Sequence, residues 1–228
     1  AGDPDGGDGG PTGRGVADIV SEAVRIRPFR PGDEPALMEV CRRTADAGGD
    51  SSYLFSERDL VGTIWCMPYL VLEPDLASVV ASGDEPPVGY VLGALDSTAF
   101  HHAAEDRYWP SARARFPLDA VERGSLDELL VHLIHDRSNA LESPELLASF
   151  PSHLHIDLLP EVQGRGLGRE LIDRLSAQLA ERGSPGVHLG VSRANERAIA
   201  FYRHLGFVEW DEPGDGINLV FVRDLSLG

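Results

Sequence analysis

Residues 160–168 read PEVQGRGLG, and no other stretch constrains this chain as tightly. They follow an apolar run at 154–159 with the look of a strand and open a segment with the look of a helix. A glycine-rich turn from strand to helix points several backbone N–H groups one way, at the positive end of a helix dipole. That is an anion site, and a phosphate or pyrophosphate is its natural occupant. Gly164 and Gly166 reach backbone angles closed to other residues and let a ligand approach the main chain. Gly168 lets the first helical turn pack closely, and Gln163 and Arg165 can add hydrogen bonds and charge. The helix expected over 167–182 places Leu171, Ile172, Leu175, Leu179 and Ala180 on one inward face, with Gly183 as its stop.

Other phosphate loops fit badly. A Walker A loop needs Gly-Lys-Ser/Thr, and the chain has no lysine; all 20 basic residues are arginine. A dinucleotide fingerprint is spaced G-x-G-x-x-G, whereas here every second residue from Gly164 to Gly168 is glycine. A second motif follows at 187–210, VHLGVSRANERAIAFYRHLGFVEW: a short strand, Asn195 as a helix cap, a helix ending at Gly206, and a strand from Phe207.

These two motifs resemble the GCN5-related N-acetyltransferase superfamily. Its pyrophosphate loop, Gln/Arg-x-x-Gly-x-Gly/Ala, is matched by residues 163–168. Its N-x-x-A-x-x-F-Y-x-x-x-G-F signature is matched by Asn195, Ala198, Phe201, Tyr202, Gly206 and Phe207. The resemblance implies an α/β fold with a splayed, mostly antiparallel mixed sheet flanked by helices, and acetyl-CoA as cofactor. Strands are expected at 24–29, 77–81, 88–95, 154–159, 187–191 and 217–222. Helices are expected from Asp33 to about Ala47, with Ala36, Leu37, Val40 and Cys41 inward, and from Ser56 as cap to about Cys66. Residues 97–151 depart from the minimal pattern as an insertion between the third and fourth strands, with helical candidates at 100–116, 126–135 and 143–150. An insertion there would shape or cover the acceptor pocket. With the segments around 25–43, 89–100 and 148–160, it also resembles the acetyltransferase-like C-terminal domain of eukaryotic O-GlcNAcase, in a free-standing bacterial form. The eukaryotic domain looks like a pseudo-acetyltransferase without an intact pyrophosphate loop; here residues 163–168 are intact.

The resemblance carries roles onto particular residues. The reaction it implies is direct attack of an amine on the thioester. Leu158 and Leu159 fall where family members bulge a strand, pairing with pantetheine and polarising the carbonyl through one N–H. Val162, Gln163, Gly164, Arg165, Gly166, Leu167 and Gly168 hold the pyrophosphate, with Arg169 close by. Asn195 hydrogen-bonds the pantetheine arm, Phe201 packs against it, and Arg203 meets the nucleotide end. Tyr202 is the candidate general acid, against a plain reading as a packed helix tyrosine. Asp157 is the candidate base, against a structural hydrogen bond in the sheet, and Asp96 is the second choice. His153 and His155 flank that strand as possible relays. His101, His102, Tyr108 and Trp109 are either pocket-lining residues or an ordinary helix surface.

Composition bounds the rest. The formal charge of −17 disfavours nucleic acid and anionic membranes and suits a cationic acceptor, a small amine or a basic peptide. No apolar run approaches the roughly 20 residues of a membrane span. Residues 1–22, rich in Gly and Asp, are expected to form a disordered arm ahead of one acetyltransferase domain at 23–228. Cys41 and Cys66 suit buried thiols in a reducing cytoplasm. The lack of lysine amid abundant Ala, Arg, Gly and Pro is the composition of a GC-rich bacterial genome. No His, Cys and carboxylate set has metal spacing, so no metal is expected, and no signature of a covalent nucleophile is present. Two functions compete: an acetyl-CoA-dependent N-acetyltransferase, and an acyl-CoA-binding or pseudo-acetyltransferase interaction module with little or no turnover.

Overall fold

A computed structural model describes residues 24–137, 142–211 and 216–226. The expected arm at 1–22 lies outside the described residues. In chain order the elements are β1 (Arg25–Pro28), α1 (Glu34–Arg42), α2 (Leu60–Trp65), α3 (Met67–Leu72), β2 (Ala77–Ala81) and β3 (Gly89–Ala94). The insertion follows as α4 (Ser97–Arg107), α5 (Trp109–Arg115), α6 (Leu126–His135) and α7 (Pro144–Ser149). The chain then returns through β4 (Ser152–Leu158), α8 (Leu167–Glu181), β5 (Gly186–Ser192), α9 (Glu196–His204), β6 (Val208–Trp210) and β7 (Asn218–Asp224). The strands form a seven-stranded sheet of order β1-β2-β3-β4-β5-β7-β6. All its pairings are antiparallel except β4 with β5.

Side chains alternate across the sheet, so each face carries its own core. Ala77, Val79, Tyr90 and Leu92 face the helices of the N-terminal half and the insertion. Val80, Val91, Leu154, Val187, Leu189 and Phe221 face α8 and α9. His153, His155 and Asp157 alternate with Leu154 and Ile156 on β4, which turns them to the insertion side. Both cysteines are buried free thiols. Among the described residues no helix is long and apolar enough to cross a membrane.

Several expectations need correction. Helix α1 stops at Arg42 instead of near Ala47, because the next turn leaves helical geometry: the Thr44 hydroxyl caps the Val40 carbonyl at 2.8 Å, and Ala47 and Gly48 take φ of 47° and 88°. Ser56 does not cap α2. Its N–H donates to the buried Asp127 carboxylate of α6 at 3.1 Å, and the helix begins after Asp59. The expected helix over 100–116 is two helices broken at Tyr108, since Pro110 lacks the N–H that would continue the ladder. On α8, Ser176 is buried where Ala180 was expected, and Ala180 is exposed.

Candidate active site

The site is built where β4 and β5 part. β4 pairs with β3 along its whole length, Gly89↔Leu158 to Ala94↔His153. It meets β5 at two rungs only, Ser152↔Val187 and His153↔His188. Beyond them the strands diverge and open a cleft of about 620 Å³. No bulge interrupts the β3 register, so the expected one is absent. The opening comes from divergence on the other edge. Antiparallel alternation then decides which backbone groups face it. Leu159 N–H donates to Val88 C=O at 3.0 Å, which points residue 159 toward β3 and residue 158 toward the cleft. Leu158 lines the cleft, whereas Leu159 is buried in the insertion-side core and its N–H is spent.

The glycine-rich turn forms one end. Residues Pro160–Val162 make a 3-10 turn that uses the N–H groups of Val162 and Gln163. Gly164 and Gly166 follow at φ of 73° and 82°, and Gly166 caps α8. The first N–H groups of α8 have no carbonyl four residues back within the helix and point out of its N-terminus. Gln163, Gly164, Gly166, Gly168 and Arg169 line the cleft. The Gln163 amide donates to Leu158 C=O at 2.6 Å, so it braces the strand against the turn. Val162 and Leu167 are core residues rather than lining ones, and Arg165 is exposed outside the cleft.

Helix α9 forms the opposite wall. Asn195 caps it by accepting from Ala198 N–H at 3.0 Å and also lines the cleft. Ala198, Phe201, Tyr202 and Leu205 follow at helical spacing on that wall. Phe201 packs over Gly168, where an added Cβ would lie 3.0 Å from its Cζ. Arg203 is turned away by the same periodicity: it pairs with Glu209 on β6 at 3.2 Å and does not line the cleft. Arg169 and Arg197 are the cleft's cationic side chains. Sequence reading missed Arg197 and His204, and also Thr44, Ala47 and Gly48, which close the third side. The spacing from Asn195 carried the signal against Arg203; nothing local pointed to the loop after α1.

Tyr202 is buried among Phe201, Phe207 and Phe221, and that burial pushes its phenol well above the usual range, so it keeps its proton at neutral pH. Asp157 lines the cleft and is held from behind. It accepts from Tyr90 OH at 2.5 Å and lies 3.1 Å from His155 Nε2. Burial disfavours the His155 imidazolium, but the Asp157 carboxylate and the contacts with Asp157 and Cys41 outweigh it and lift the ring to about 10. Cys41 lies 3.9 Å from the same ring, its thiol pushed up to about 11 by burial. Asp96 is corrected: it is exposed, caps α4 by accepting from Ala99 N–H at 2.8 Å, and follows the far end of β3. His153 is buried and bonded to Ser97 at 2.7 Å, with burial and then His188 lowering its ring to about 3. His101, His102 and Trp109 line a separate cavity in the insertion, while Tyr108 is buried with its hydroxyl on Thr63 C=O.

A sheet splayed beside a glycine-rich helix start, with a buried tyrosine facing the gap, is the arrangement the sequence resemblance implies for an acyl-CoA-dependent acyltransferase. Residues 146–207 match the acetyltransferase (GNAT) family model. The crystal structure of SsHAT is 39% identical and superposes with a TM-score of 0.81, covering 89% of this chain and 98% of that one. Protein O-GlcNAcase of Rattus norvegicus is 28% identical over 83% of this chain. Mycothiol acetyltransferase of Beutenbergia cavernae is 32% identical over 58% of this chain and 52% of its own length. The chain spans about 20% of the O-GlcNAcase it matches. This chain belongs to the GNAT acetyltransferase family, whose acyl donor is acetyl-CoA.

Proposed function

We propose that residues 23–228 act as one unit that transfers acetyl from acetyl-CoA directly to an amine, a small cationic molecule or a basic peptide. The observation that carries this reading is the cleft itself. The α8 N-terminus and Arg169 at one end suit the pyrophosphate, and the open edge of β4 suits an extended pantetheine arm. The Leu158 N–H polarises the thioester carbonyl, and the amine nitrogen attacks its carbon. Asp157 takes the ammonium proton, directly or through water. As the C–S bond breaks, Tyr202 OH gives its proton to the leaving thiolate. Burial, which raises the pKa of this phenol, makes it a weaker acid, so the reading rests on the place of Tyr202 in the cleft and not on that shift.

The test is thiol release from acetyl-CoA across a panel of amines, with Tyr202→Phe beside wild type. The expected result is turnover lowered about 10²–10⁴-fold with acetyl-CoA affinity kept. Full turnover in that variant removes Tyr202 as the acid. One observation favours the second reading, an acyl-CoA-binding module: Asp157 already has Tyr90 and His155 as partners. That reading predicts acetyl-CoA binding without amine-dependent thiol release.

A further inference from the structure

The two rungs joining β4 to β5 bring together residues that the acetyl-transfer reading does not use. His153 and His188 are register partners there, and their rings lie 5.7 Å apart. Glu142, from the insertion ahead of α7, reaches over them. Its Oε2 lies 3.0 Å from His101 Nε2, and its Oε1 lies 3.5 Å from His188 Nε2.

Hydrogen bonding fixes how both rings present themselves. His188 Nδ1 is 2.7 Å from Phe150 C=O. A carbonyl only accepts, so Nδ1 carries a proton, and Nε2 is either a second N–H aimed at Glu142 or a lone pair open to a metal. The Ser97 hydroxyl donates to Pro151 C=O at 2.8 Å, which leaves it to accept from His153 Nδ1 at 2.7 Å. In the neutral ring His153 Nε2 is then the lone pair. His188 is 3% exposed, and its Nε2 has no hydrogen-bond partner among the described residues. A buried imidazole nitrogen 3.5 Å from a carboxylate takes a cation between them, which is a proton in the bare ion pair and can be a metal ion where a third donor stands close by.

We propose that Glu142, His153 and His188 form a binding site for a divalent first-row transition metal of the zinc type. Two imidazoles and a carboxylate are a zinc donor set, and each imidazole is oriented by a hydrogen bond from its other nitrogen, as metal-binding histidines are. Bonds of about 2.0–2.1 Å hold tetrahedral zinc ligands roughly 3.3 Å apart. The 3.5 Å between His188 Nε2 and Glu142 Oε1 is near that, and the three donor atoms all lie within 4.8 Å of one another. Of the three donors, Glu142 also lines the cavity of about 430 Å³ in the insertion, together with its partner His101. The competing group Cys41, His155 and Asp157 is a weaker receptor. There too a histidine nitrogen faces the carboxylate, at 3.1 Å, but the third donor is a thiol that must first lose its proton. A metal on Glu142, His153 and His188 pins the insertion to the sheet at the apex of the cleft.

The test uses the full 228-residue chain without a polyhistidine tag, stripped with chelator. Zn²⁺ is titrated by calorimetry, Co²⁺ by its visible spectrum, and Tm is followed against Zn²⁺. The expected result is one saturable site, a Tm that rises with metal, and tetrahedral Co²⁺ bands without thiolate charge transfer. Glu142→Gln and His188→Gln should each weaken binding by at least about 100-fold. Glu142→Gln, nearly isosteric and beside the cavity, keeps the test decisive should His188→Gln fail to fold. Absence of saturable binding in the wild type overturns the proposal. So does binding that survives Glu142→Gln. A charge-transfer band that disappears in Cys41→Ala places the metal on the other group and also overturns it.

Discussion

Single residues in this cleft are constrained for different reasons. At Gly168 the reason is space: an added Cβ would lie 3.0 Å from Phe201 Cζ and 3.4 Å from Leu158 Cδ1. Gly168→Val should therefore push the Phe201 ring into the cleft, cost about 1–3 kcal/mol of stability, and weaken acetyl-CoA binding. Denaturant titration and calorimetry check both, and an unchanged affinity would show that Phe201 does not bound the ligand. At Gly166 the reason is backbone angle, because nothing lies within 4 Å of its Cβ direction while φ is 82°. Asp33 shows an electrostatic constraint. Arg27 donates to both its oxygens, at 2.7 and 2.8 Å, and this holds its carboxyl below the usual 3.8. A folded pKa below the unfolded one gives stability that is complete above pH 3.8 and lost as pH falls through the folded value. Asp33→Asn should be less stable than wild type at pH 7, and the gap should close on acidification. A gap that stays constant down to acid pH would contradict the ion pair. At this scale the place of Asn195, Phe201 and Tyr202 on one wall of the cleft was legible, because a helical repeat ties them to one face. Arg203 and Asp96 were misread for want of that check: one lies off the face, and the other begins a helix.

Elements were legible wherever local chemistry set them. The N-cap at Ser125, where the hydroxyl accepts from Glu128 N–H at 3.2 Å, starts α6 at the expected place. Pro110 breaks the helix before it for an equally local reason, which a stricter reading of proline would have caught. The start of α2 was not legible, because its neighbour Ser56 is held by Asp127, 71 residues away. Helix α8 is the element most firmly fixed. Leu171, Ile172, Leu175 and Leu179 are fully buried against the sheet, and Leu175 covers Gly93 so closely that a Cβ there would lie 2.6 Å from Cδ1. Leu175→Ala should cost about 2–5 kcal/mol in denaturant titration. A loss below about 1 kcal/mol would mean that α8 can settle onto Gly93 and refill the space.

For the molecule as a whole, charge and cleft work in opposite senses. The chain carries a formal −17, yet the side chains lining the cleft include Arg169 and Arg197. A local cationic patch in an acidic field suits a polyanionic donor held at one place and a cationic acceptor drawn to the rest. The order of the strands and of α8 and α9 could be read from sequence because each is announced by its own residues, whereas α3 and the break between α4 and α5 were not read. A splayed sheet was implied by the resemblance, but the rung at which β4 leaves β5, the wall at Thr44 to Gly48, and the meeting of His153, His188 and Glu142 could not be read, since each depends on contact between distant segments. Calorimetric titration of acetyl-CoA into wild type and Gly166→Glu tests the central claim most directly, with circular dichroism to establish that both are folded. The cleft predicts saturable one-to-one binding to wild type and its loss in the variant, where a carboxylate would stand against the pyrophosphate. No binding by folded wild type, or equal affinity in both, would contradict it.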